Sequence, residues 1–267
     1  MRPRNLLLLL LLLSLLLLPP SRLASAAPPL PLAGIAFEQR PGARLPRQNV
    51  YHDDTGRLVR LDELFEGMPL VLVLGYFHCP NLCSVVRADL LKALTTSGLM
   101  AGRDYSLVAL SIDPSEGSAD AAAAKADDLA RFPAAGAREN WHFLTGNLES
   151  VEALANAVGF RDRSDPERKR FAHPVGVIFA TPRGAISSYL LGVGYQSADV
   201  RLAVTRAMTD AIAPAASPVL LLCFDYDLTT GRYTLAIMKI LRLAAAITVV
   251  TIAGLAFFAI RRERRRA

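Results

Sequence analysis

Residues 69–91 read PLVLVLGYFHCPNLCSVVRADLL. Pro69–Phe77 is an unbroken apolar run of strand length, which predicts a strand buried on both faces of a sheet. From Ser84 the rhythm changes: Val86, Leu90, Leu91 and Leu94 recur at helical spacing up to Thr96. A buried strand feeding directly into a helix is the start of an α/β unit. Cys79 and Cys83 stand at that junction, outside the carboxyl end of the strand, where open α/β sheets bind their ligands. Pro80 suits the first turn of the helix, where its missing N–H costs little.

Downstream the alternation continues. Tyr105–Ile112 reads as a second buried strand, ended by Asp113-Pro114, and Ser118–Phe132 as an alanine-rich helix. Trp141–Leu144 is a short strand and Leu148–Val158 a helix, with Asn147 as its N-cap. Val175–Ala180 and Ala185–Leu191 flank TPRG, whose composition suits a hairpin turn, and Asp199–Ile212 is a closing helix. The order βαβαβαββα predicts one α/β domain over residues 48–212, a mixed sheet with helices on both faces.

The ends carry different signals. Residues 1–26 read as a signal peptide: Arg2 and Arg4, the leucine run Leu6–Leu18, then Ala24-Ser25-Ala26 as a cleavage site. Residues 27–47 form a Pro-rich linker and 213–234 a linker or juxtamembrane segment. A transmembrane helix is expected over residues 235–260, because Leu243–Ile260 is eighteen residues without a charge, and Lys239 and Arg242 can snorkel. Residues 261–267, opening with RRERRR, form a basic tail that the positive-inside rule places in the cytoplasm. The domain then lies outside the cytoplasm; in a bacterium it is periplasmic, held on the inner membrane by a single C-terminal span.

The net charge of +6 belongs to these ends, since residues 28–234 hold 20 basic and 23 acidic side chains. That balance disfavours nucleic-acid binding by the domain. Disorder is excluded by 52% hydrophobic and only 20% charged residues, and three cysteines are too few to staple a mini-domain.

A thiol at a helix N-terminus is favoured as thiolate, and an i, i+4 spacing puts two sulfurs on one helix face. Such a pair suits reversible disulfide chemistry or a soft ion such as Cu(I); a structural disulfide or two inert thiols is the plainer reading. The three-residue gap departs from C-x-x-C, and spacing alone does not choose among these. Of the four histidines, His173 in RFAHPVGVIFA comes just before a hairpin strand whose end can lie beside the mouth of the first strand. An imidazole added to two thiolates would hold both Cu(I) and Cu(II). His78 is expected on the opposite face, His52 in a turn (HDDTG) and His142 within a strand, none of them a ligand. Cys223, in VLLLCFDYD, reads as a small buried hydrophobe.

Taken in order, CPNLC after a buried strand, SIDPSE after the second, WHFLTG, and FAH before a hairpin resemble the SCO/SenC family over roughly residues 50–212. The resemblance implies a membrane-anchored, thioredoxin-like copper chaperone for cytochrome c oxidase assembly. It implies copper, Cu(I)/Cu(II), as the cargo, with the family's ligands falling on Cys79, Cys83 and His173. The implied partner is the copper-bearing oxidase subunit, with other periplasmic copper chaperones or thiol reductases besides. The alternative function is a thiol–disulfide oxidoreductase keeping oxidase-subunit cysteines reduced, with Cys79 attacking and Cys83 resolving. Asp113 matches the acid of the family's D-P element, either as a docking or supporting group or as a turn former. The chain departs from the family in Ala172 and Pro174, which flank the histidine, and in an anchor placed at the C-terminus.

Overall fold

The computed structural model describes residues 35–78, 82–165 and 170–216, with residues 244, 248, 251, 252, 254 and 261 further on. The chain divides into units Met1–Ala33 and Gly34–Ala267, and every described residue belongs to the second. The strands, in chain order, are β1 (Ala36–Phe37), β2 (Val50–His52), β3 (Leu58–Arg60), β4 (Leu70–Gly75), β5 (Ser106–Ser111) and β6 (Trp141–Leu144). They continue with β7 (Phe160–Arg161), β8 (Arg163–Asp165), β9 (Arg170–Ala172), β10 (Gly176–Ala180) and β11 (Ile186–Leu191). The helices are α1 (Leu82–Thr96), α2 (Ser118–Arg131), α3 (Ala137–Asn140), α4 (Leu148–Ala157) and α5 (Ser197–Met208).

Five strands make the central sheet in the order β11-β10-β4-β5-β6. β4, β5 and β6 run parallel, whereas β10 is antiparallel to β4 and β11 antiparallel to β10. Parallel neighbours need crossovers, and α1 and α2 supply them. The apolar run of β4 is continuous because both faces are covered. Leu70, Leu72 and Leu74 face a core with Val108, Leu110, Ile178 and, from α4, Val151 and Leu154. Val71 and Val73 face the other core, with Phe143 and Phe179 and with Leu90, Leu91 and Leu94 of α1 and Val200 and Val204 of α5. Helices therefore lie on both faces, as the element order requires. Asn147 caps α4 through its side chain, which accepts from Ser150 N at 2.8 Å. Thr181–Gly184 closes the β10–β11 hairpin, Gly184 N donating to Thr181 O at 2.8 Å.

The packed domain is wider than 48–212 at both ends. Within the expected Pro-rich linker, Ile35 and Leu45 are buried, and β1 pairs with β7. Gly42 N donates to Ile186 O and Ile186 N to Ala43 O, both at 2.8 Å, so this stretch straps the start of β11. The apolar residues spaced among its prolines have a surface to cover. At the other end, Ala213 N bonds Ser187 O at 2.8 Å, and Gln39 exchanges two hydrogen bonds with Ala216, at 2.8 and 2.7 Å. α5 ends four residues short of the expected Ile212; Asp210 turns into the left-handed region (φ 56°), which stops the helix.

The expected signal peptide, Cys79 and Cys223 lie outside the described residues, as does most of the expected span. Within that span Ala244, Thr248, Thr251, Ile252 and Gly254 are helical. Among the described residues no helix is long and apolar enough to cross a membrane.

Candidate metal centre

β10 sets Ile178 opposite Leu72, Phe179 opposite Val71 and Ala180 opposite Leu70. Followed backwards, that register brings the residues just before β10 level with Tyr76 and Phe77, past the carboxyl end of β4. His173 thus reaches the loop Tyr76-Phe77-His78 that leads into Cys79, although 95 positions separate it from His78. Its ring stacks on Phe160 (centroids 5.6 Å, interplanar 28°) and meets Tyr76 edge-on at 6.1 Å. Only 2% of His173 is exposed. Nδ1 lies 2.9 Å from the Pro174 carbonyl oxygen. A nitrogen facing a carbonyl is a donor there, so the ring's lone pair falls on Nε2. Burial lowers the imidazole pKa and holds the ring neutral, which is the ligating form.

The loop itself is gripped from two further sides. The Phe77 ring stacks on Phe143 at 5.7 Å, with the Arg87 guanidinium 5.8 Å from the Phe77 centroid and 5.7 Å from that of Phe143. Arg87 lies one turn beyond Cys83 on α1 and is neutralised by buried Asp128, to which its Nε donates. On the other side Glu116, whose side chain is 3% exposed, accepts from the backbone N–H of Phe77 (2.8 Å) and of His78 (2.7 Å). Ser111 Oγ donates to the same carboxylate at 2.5 Å. Sequence reasoning missed Glu116, because a single acid after Asp-Pro-Ser belongs to no periodic pattern. Asp113 forms a turn: its Oδ1 accepts from the N–H and the hydroxyl of Ser115, at 2.8 and 2.7 Å.

Cys83 is the second residue of α1, at the helix N-terminus beside the end of β4; its side chain, like Cys79, is outside the description. Among the described residues no group of three or more His, Cys, Asp or Glu is arranged to hold a metal. Of the other histidines, His78 alone is on this loop. His78 has a side chain 69% exposed, with Nδ1 3.1 Å from Glu116 Oε1 and Nε2 3.5 Å from Asp120 Oδ1. His52 ends β2 instead of sitting in the turn that follows, because its backbone bonds Thr145 in both directions (2.8 and 2.9 Å). His142 is on β6, as expected, and burial pushes its pKa down to about 4.

The SCO1/SenC family model matches residues 39–209. The chain belongs to the SCO1/SenC family. No curated protein matches the sequence. Among solved structures it is similar to a candidate electron-transfer protein of Aquifex aeolicus VF5 (24% identity, TM-score 0.56), over 63% of this chain and 94% of that one. It is similar also to a SCO1/SenC family lipoprotein of Bacillus anthracis str. Ames (18%, TM-score 0.50), over 63% and 97%. Bradyrhizobium japonicum ScoI, solved with copper bound, is a looser likeness (17%, TM-score 0.44), over 64% and 99%. The α/β arrangement described above is accordingly the thioredoxin-like SCO1/SenC fold, and the family match takes in both the Cys79 loop and His173.

Proposed function

We propose that this SCO1/SenC protein binds copper on Cys79, Cys83 and His173 and delivers it to the copper-bearing subunit of cytochrome c oxidase. The observation that carries the reading is the meeting of His173 with the loop entering Cys79, the imidazole held neutral and Nδ1 turned to the Pro174 carbonyl. Two soft thiolates and one borderline nitrogen suit both copper oxidation states, and three ligands leave room for a partner's ligand during exchange. The chain sits in the bacterial inner membrane through a C-terminal span at 235–260, with the domain in the periplasm. In support, Thr248 Oγ1 bonds the Ala244 carbonyl at 2.9 Å, a local bond that spares a hydroxyl from meeting lipid unpaired.

The test is metal loading of the full chain in detergent with its thiols reduced. We expect about one copper per chain, and His173→Ala to weaken Cu(II) at least tenfold while Cu(I) stays on the thiolates. Failure of the wild type to load, or unchanged Cu(II) binding in the variant, refutes the assignment. A second reading, a thiol–disulfide oxidoreductase acting on oxidase cysteines, is favoured by the place of Cys83 at a helix N-terminus. Turnover with a disulfide-bonded partner peptide in His173→Ala separates the two, since that chemistry does not need the imidazole.

A further inference from the structure

Glu116 is a buried carboxylate at the heart of the domain, on the β5–α2 connection, and its hydrogen bonds run neither to a lysine nor to an arginine. They go to two successive peptide N–H groups, of Phe77 and His78, to the Ser111 hydroxyl, and to the exposed His78 ring, whose Nδ1 lies 3.1 Å from Oε1. Successive N–H groups turned to one side form a concave anion site, and here the protein fills it with its own side chain. The two residues so held are the last before Cys79. The same loop meets His173 through the Tyr76 ring. The loop thus contacts both the imidazole, through Tyr76, and the carboxylate, through Phe77 and His78.

We propose that Glu116 is a positioning residue: by fixing the peptide planes of Phe77 and His78 it sets where Cys79 stands relative to His173. This deepens the copper reading and rests on it for its copper readout only. The carboxylate does not touch the cargo; it acts through two backbone bonds. Oε1 serves His78 N and Oε2 serves Phe77 N, so both oxygens are needed. Glu116→Gln keeps the size but replaces one acceptor with an NH2 group, which faces an N–H donor to donor.

The test uses the full chain in detergent, with Glu116→Gln beside the wild type. In the metal-free reduced protein we expect hydrogen exchange at the Phe77 and His78 amides to quicken at least tenfold, with β4 and β5 unchanged. We expect Cu(I) affinity to fall 10- to 100-fold, the usual cost of losing a group that orients a ligand, and the sulfur-to-Cu(II) absorption band to move. The Cys79–Cys83 equilibrium with glutathione, measured without metal, should shift at least tenfold, about 30 mV. Ser111→Ala, which removes one bond to Glu116 and the hydroxyl that accepts from Asp113 N (3.1 Å) but leaves the loop bonds, should shift copper affinity in the same direction by less. If the Gln variant does not fold, this variant decides: a change of less than twofold overturns the proposal. Faster exchange with copper affinity and glutathione equilibrium both within twofold of wild type also overturns it, leaving Glu116 a merely structural group. Should the wild type take no copper, the metal reading falls alone, and the glutathione shift still judges Glu116.

Discussion

His142 on β6 feels Lys125 and Arg57, which oppose its protonation, and Asp54 and Asp53, which favour it, but burial outweighs all four and brings its pKa to about 4. In the unfolded chain the same ring protonates near 6.5. Its contribution to stability is therefore complete above about pH 6.5 and is lost as the pH falls towards 4. By pH 5 the loss amounts to about 2 kcal/mol, from 1.36 kcal/mol per pKa unit. Thermal unfolding of the metal-free protein should show a midpoint that drops between pH 7 and pH 5, and His142→Phe should flatten much of that slope. His173 adds to the slope with the same sign, because its burial also disfavours the proton. An unchanged slope in His142→Phe would remove the ring from the account. The two rings differ in use: His142 is a passive filler of the sheet, whereas the Nδ1 bond of His173 selects which nitrogen bears the lone pair.

The N-terminal strap makes its tightest backbone approach at a glycine, among elements too short to hold themselves. Gly159 has φ +67°, and a Cβ there would come within 1.9 Å of the Glu38 carbonyl oxygen. Glu38 N in turn donates to Gly159 O at 2.7 Å. Gly159→Ala should destabilise the domain by at least about 2 kcal/mol, from backbone strain and the lost approach together, read as a shift in the urea midpoint. A shift below about 0.5 kcal/mol would mean that the strap contributes nothing. This is also where sequence reading reached its limit. β4 and β5 were legible because both faces are covered and their central positions are continuously apolar, and α4 because Asn147 announces its start. β1, β2, β3 and β7 have two or three residues each, too few for any period; β1 and β7 exist because each is the other's distant partner, and β2 and β3 pair only with each other across a short turn. The candidate site divides the same way. The cysteines and His173 could be named from spacing and family likeness, but Glu116 becomes visible only when β4 and β5 are neighbours, a tertiary fact.

For the whole molecule, charge and hydropathy are segregated: a near-neutral domain, an uncharged stretch at Leu243–Ile260, and RRERRR after it. If residues 235–260 span the membrane, alkaline carbonate should leave the full chain in the membrane pellet. A chain comprising residues 27–234 alone should move to the supernatant. Release of the full chain by carbonate would rule out the span. The domain also carries a row of aromatic contacts that crosses element boundaries. Phe37 of the strap meets Phe160 edge-on at 5.4 Å, and Phe160 lies flat against His173. Phe37 and Phe160 are also partners across the β1–β7 pair, so the strap and the imidazole are joined by two phenyl rings in series. Loss of the Phe37 ring should therefore loosen the seat of an imidazole 136 positions further along the chain.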